Sequence, residues 1–166
     1  MCHRSKVLTA LAFALILPSA HAAEPKVAVF DFELIDTSLE GAANGPRTDE
    51  QRRLAWLGSE LRRRLMRSGR AEVVDTAGIS ARMQASNLRT CGGCDTAFAS
   101  ELGATYSIAG WVQKLSNLII VVRDVETRNI VAAKSVDMRG NTDESWSRAL
   151  DWLVRNYRLA PNEGVF

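Results

Sequence analysis

Apolar and polar positions change rhythm several times along the chain, and each change marks an element. Val7 to Leu17 is an uninterrupted apolar and small-residue run, preceded by His3, Arg4 and Lys6 and broken by Pro18. Ala20-His21-Ala22 follows with the small-x-small pattern of a signal-peptidase site. Residues 1–22 therefore read as a cleaved secretory leader, too short and wrongly flanked for a membrane-spanning helix. Lys26 to Leu34 reads as a strand with both faces covered, since Val27, Val29, Phe30, Phe32 and Leu34 do not alternate strictly. Ile35 to Arg47, with Gly41, Asn44, Gly45 and Pro46, reads as a loop. Thr48, with Gln51 three residues on, is expected to cap a long helix whose stripe is Leu54, Leu57, Leu61 and Leu65 and whose end is Ser68-Gly69. Ala71–Asp75 reads as a second strand and Thr76–Asn87 as a helix. After the turn Cys91-Gly92-Gly93-Cys94, Asp95 is expected to cap a helix over Thr96–Leu102. Three strands follow, Thr105–Ser116, Leu118–Val125 and Asn129–Met138, joined by short turns that favour an antiparallel meander. Asp143–Tyr157 closes the pattern as a helix with the stripe Trp146, Leu150, Leu153 and Tyr157; Ala160–Phe166 reads as a loose tail.

The order β-α-β-α-α-β-β-β-α predicts a single α/β domain of α+β character, residues 23–166, with a mixed, mostly antiparallel sheet carrying packed helices. No internal repeat or linker interrupts it.

Composition alters the picture once the leader is set aside. Both histidines and Cys2 lie in residues 1–22, and so do Arg4 and Lys6; the remainder carries 19 basic and 19 acidic residues. The pI of 8.6 belongs to the whole chain. A charge-balanced chain gives no bulk attraction to nucleic acid or anionic lipid. The expected compartment is the bacterial periplasm, with no lipid anchor and no membrane insertion of the mature chain. Without an imidazole, Ser-His-Asp and Cys-His mechanisms are excluded in cis, and no catalytic residue is assigned.

Three constellations carry candidate chemistry. Cys91 and Cys94 are two cysteines spaced as in redox dithiols, half metal sites and short structural disulfides. Zinc lacks further ligands here, and haem attachment lacks a following histidine, so no cofactor is expected. A structural disulfide is the preferred reading. A thiol–disulfide oxidoreductase is the alternative, because a cysteine at a helix start has a lowered thiol pKa. Asp31 and Glu33, two apart, are expected on one face at the carboxyl end of the first strand, with Asp36 beyond; such a position suits a small ligand or cation, or acid–base work by the carboxylate pair. The polar corner Arg139-Gly140-Asn141-Thr142-Asp143 is the other candidate binding edge, through Arg139, Asn141 and Asp143. Arg52, Arg53, Arg62, Arg63, Arg64 and Arg67 read as a solvated helix face.

The stretches Lys26–Ser38, Leu88–Cys94, Gly110–Ile119 and Arg139–Trp146 together resemble an uncharacterised family of small exported proteobacterial proteins. The meander's central strand departs from that family's pattern by being shorter. More distantly, Val27-Ala-Val-Phe-Asp-Phe, Gly69–Asp75 and Leu102–Gly110 are similar to the amino-terminal domain of TolB and to envelope-assembly proteins of the CsgG class. The resemblance implies a non-enzymatic accessory role in an envelope assembly or periplasmic oxidation system, with another periplasmic or envelope protein as partner. The expected contact surfaces are the carboxyl end of the first strand and the strand edges of the meander.

Overall fold

Alternation along the first strand sets the layers. In the computed structural model, which describes residues 24–156, Val27 and Val29 of β1 (Lys26–Val29) face one side and Ala28 and Phe30 the other. Each side carries its own apolar cluster, so the sheet is covered by helices on both faces. The leader, Tyr157 and the tail from Ala160 lie outside the described residues.

The described residues form a six-stranded mixed sheet and five α-helices. β1 is followed by β2 (Glu33–Ile35), α1 (Leu39–Asn44), α2 (Thr48–Ser68) and β3 (Glu72–Val73). After a 3₁₀ turn, Ala77–Ile79, come α3 (Ser80–Gln84), α4 (Cys94–Glu101), the meander β4 (Tyr106–Gln113), β5 (Asn117–Asp124) and β6 (Ile130–Asp137), and α5 (Asp143–Asn156). The sheet order is β3-β1-β4-β5-β6, with β2 also on β4. β1 lies parallel to β3 and β4, β2 lies parallel to β4, and β4-β5-β6 are antiparallel. Helices α2 and α5 cover one face through Leu57, Leu61, Leu65, Trp146, Leu150 and Leu153. Ile79, Met83, Leu88 and Ala99 cover the other.

Two features depart from expectation, and each has a local cause. The first strand is interrupted. Val29 stands opposite Ile108, and Glu33 opposite Trp111, so four steps on the first strand run against three on β4. The extra residue is accommodated where Phe32 lays its ring over Gly110: a Cβ at Gly110 would come within 2.3 Å of Phe32 Cε1. Bulges of this kind reverse the side-chain alternation beyond them. The segment expected as loop also contains a helix, α1, short and with no buried residue, capped by the Ser38 hydroxyl, which accepts from Gly41 N–H at 3.0 Å.

The caps also shift. Helix α2 begins at Thr48, but the side chain that serves its start is Glu50, which accepts the Arg47 N–H at 2.9 Å. Asp95 does not cap α4. Gly93 holds the cap position in the left-handed region (φ 102°), and Asp95 is buried, accepting from Ser107 Oγ at 2.6 Å and lying 3.4 Å from Arg123 Nε. The expected helix over Thr76–Asn87 is reduced to the 3₁₀ turn and α3.

Candidate functional site

The bulge decides where the candidate carboxylates go. Asp31 and Glu33 do not share a face. Asp31 turns toward α2, where its Oδ1 accepts from Arg62 Nη2 at 2.6 Å, while Arg62 Nε donates to the Val29 carbonyl at 3.0 Å. Gly58 of α2 lets these groups lie close: a Cβ there would stand 3.1 Å from Asp31 Oδ1. Glu33 turns to the opposite side and accepts the Leu88 N–H at 2.7 Å. The period-two argument fails here because one inserted residue inverts it.

Asp36 joins a third arrangement. Its Oδ2 lies 2.7 Å from Lys114 Nζ, which is also 3.0 Å from Glu50 Oε1. Glu50, fully buried, accepts in addition from Asn141 Nδ2 at 2.5 Å. Asn141 Oδ1 accepts from Arg53 Nη1 at 3.1 Å, and Arg53 Nε donates to Asp143 at 2.6 Å. Arg53 also reaches Asp49 at 2.7 Å and stacks 5.6 Å over the buried Trp146 ring. Asp36, Asn141 and Asp143, expected in two separate sites, are thus members of one alternating chain of charges. It ties the end of β2, the β4–β5 turn, the start of α2 and the β6–α5 corner.

The electrostatics follow from these contacts. The Lys114 ammonium, with the Ser38 groups, holds the Asp36 carboxyl down at about 2. Asp49 is likewise lowered to about 2, mainly by Arg47. Burial pushes the Glu50 carboxyl up, but the Arg47 N–H, Lys114 and Asn141 together outweigh it and leave it below its ordinary value. Asp36 and Glu50 raise the Lys114 ammonium in turn.

Arg139 stays outside this network, exposed in a separate groove of about 400 Å³ with Glu144, Arg148 and Trp152. Among the described residues, no three His, Cys, Asp or Glu side chains converge as a metal site. The arginines of α2 are not one solvated face: Arg53 is buried, Arg62 and Arg64 are largely covered, and Arg64 pairs with Glu60 and with Asp151 of α5. Sequence reasoning missed Glu50, Arg53 and Lys114 as members of a site. Their partners lie far away in the chain, and nothing local marks them.

Cys91 and Cys94 are joined by a disulfide. Cys91 is exposed, and Cys94 is the first residue of α4.

An open cleft of about 1050 Å³ lies beside Asp31–Thr37. One wall is α2, through Gln51, Leu54 and Ala55; the other is Met83–Arg89, which the Cys91–Cys94 turn follows directly.

The family model DUF3280, described as protein of unknown function (DUF2380), matches residues 25–158. The chain belongs to this family. No curated protein matches it in sequence. Among solved structures it is similar to the LpoB C-terminal domain from Salmonella enterica, with 14% identity and a TM-score of 0.49, over 73% of this chain and 87% of that one. Lipoprotein GNA1162 from Neisseria meningitidis is similar at 12% identity and a TM-score of 0.49, over 80% and 94%. The LpoB C-terminal domain from Escherichia coli follows at 14% and 0.46, over 69% and 82%. No helix among the described residues is long and apolar enough to cross a membrane.

Proposed function

We propose that this chain is a non-enzymatic accessory protein of the bacterial envelope, and that it binds another periplasmic or envelope protein at the carboxyl end of its interrupted first strand. The observation that carries this reading is the cleft beside Asp31–Thr37, half polar and half apolar in character. Its carboxylates are already engaged by the protein's own groups: Asp31 by Arg62, Glu33 by the Leu88 N–H and Asp36 by Lys114. Asp36, held down at about 2 by Lys114, is a poor general base, because the pairing favours its charged form. What the cleft offers is shape, backbone and a charged rim, which is the equipment of a protein-binding surface. The leader expected over residues 1–22, the disulfide and the resemblance of Val27–Phe32 and Leu102–Gly110 to the TolB and CsgG-class pattern support the envelope setting.

A photo-crosslinking residue at Gln84, exposed on the cleft wall, tests this in the native cell. The expected result is one adduct of defined mass from position 84 and none from Arg128, exposed on the β5–β6 turn. Equal labelling from both positions, or none from either, contradicts the reading.

A second reading, a thiol–disulfide oxidoreductase, is favoured by the exposure of Cys91 and the place of Cys94 at the start of α4. In it, Cys91 and Cys94 pass two electrons to a partner's disulfide and become oxidised. A dithiothreitol titration decides. Reduction of the folded protein at mild potential supports this reading; a bond that resists until the chain unfolds removes it.

A further inference from the structure

The cleft coincides with a vacant strand position. β1 is covered on its outer edge by β3, but only over Lys26 and Val27, and Val74 N–H still reaches the Val27 carbonyl at 3.0 Å. The next outward carbonyl, Val29, is closed by the Arg62 guanidinium. Beyond that point no strand among the described residues lies on the outer edge, since β2 pairs with β4 alone. Lys114 N–H donates to the Ile35 carbonyl at 2.9 Å, so Ile35 faces β4. In a parallel pair both backbone groups of one residue point the same way and alternate along the strand. The N–H and C=O of Leu34 therefore point outward, into the cleft between Ala55 on α2 and Gln84 on the opposite wall.

We infer that this edge accepts an extended segment of a partner protein as an added strand, with Leu34 supplying the main-chain hydrogen bonds and Glu33 facing a basic side chain of that segment. The inference rests on the accessory reading above and names how the partner is held. Two observations argue for this occupant. First, neither end of the described chain lies nearby. β1 begins at Lys26, beside β3, at the far end of the sheet. Helix α5 runs alongside α2 from the Arg53–Asp143 pair to the Arg64–Asp151 pair, which takes Asn156 toward the same far end. Among the described residues, no segment of this chain pairs with the slot. Second, one carboxylate at the slot has no cation of its own: Arg62 engages Asp31 and Lys114 engages Asp36, whereas among the described residues Glu33 accepts only a backbone N–H, and the exposed Arg89 of the same lining forms no ion pair with it. Strand addition of this kind draws affinity from the main chain and selectivity from a few side-chain contacts.

The test uses a displayed library of short random peptides, selected against the mature protein, with the best binders measured by fluorescence anisotropy. The expected binders are extended and carry Lys or Arg. Leu34→Pro removes the outward N–H at an edge position that tolerates proline, and Ala55→Trp fills the slot from an exposed helix site. Each weakens binding by at least about tenfold. Glu33→Gln lowers affinity by roughly threefold to tenfold and flattens its salt dependence. Should Leu34→Pro fail to fold, Ala55→Trp carries the decision. Binders indifferent to Ala55→Trp, or a library that yields none, overturn the inference. A Gln84 adduct that survives Ala55→Trp in the cell also overturns the strand slot but leaves the accessory reading standing. Peptides that obey the slot in vitro, with no adduct in the cell, keep the slot and remove the envelope role.

Discussion

Gly110 and Asp36 show how single side chains set the candidate site. Gly110 is the floor on which the Phe32 ring rests, and that contact fixes the extra residue of the first strand. Gly110→Ala forces the ring or the strand to move, and we expect a loss of about 1–3 kcal/mol, as for other overpacked cores, measurable by urea unfolding. The same variant alters the pairing of β2 with β4, so shifts of the Glu33–Ile35 amides are the accompanying NMR signature. Asp36 and Asp49 test the charge network. Both carboxyls are held at about 2 against an ordinary 3.8. A lowered pKa means that the fold favours the ionised form, so this stabilisation is fully present above about pH 4 and is lost as pH falls toward 2. Melting temperature is predicted to drop across that window, and the Asp36→Asn/Asp49→Asn variant to show a flatter acid limb. An unchanged acid limb in the double variant contradicts the network. Little of this was legible beforehand. A glycine inside a strand is a sign of close backbone approach, and Gly110 is the one sequence mark of the bulge. Lys114 gives no such sign, because its partners Asp36 and Glu50 lie in distant parts of the chain.

Among elements, the long ones were readable and the short ones were not. The stripe Leu54, Leu57, Leu61, Leu65 and the meander from Tyr106 to Asp137 have enough periods to declare themselves. Helix α1 has one and a half turns and buries nothing, so no apolar period exists to be read. α2 and α5 look independent in sequence but are clamped by Arg53–Asp143 and Arg64–Asp151 around Trp146. The disulfide belongs to this scale. It closes a loop of only a few residues and so restricts the unfolded chain weakly. Cys91→Ser/Cys94→Ser should lower stability by at most about 2 kcal/mol while leaving the far-ultraviolet spectrum intact. Its main effect is expected in the adjoining cleft wall, as faster hydrogen exchange over Met83–Arg89. A loss of global folding would show that the bond does more than pin this turn.

For the molecule as a whole, the mixed sheet with helices on both faces follows from a first strand apolar on both sides. The sequence pattern predicted a ligand site at the carboxyl end of that strand through paired carboxylates. In the structure Asp31 and Asp36 are held in ion pairs, Glu33 accepts only the Leu88 N–H, and the backbone groups of Leu34 face away from β4. This edge is what the functional account depends on, and site-resolved amide hydrogen exchange of the free protein examines it most directly. The account predicts strong protection of the Ile35 amide, which is bonded to β4, and fast exchange of Leu34, its immediate neighbour. Equal protection of the two would mean that the edge is already occupied, and would contradict the account.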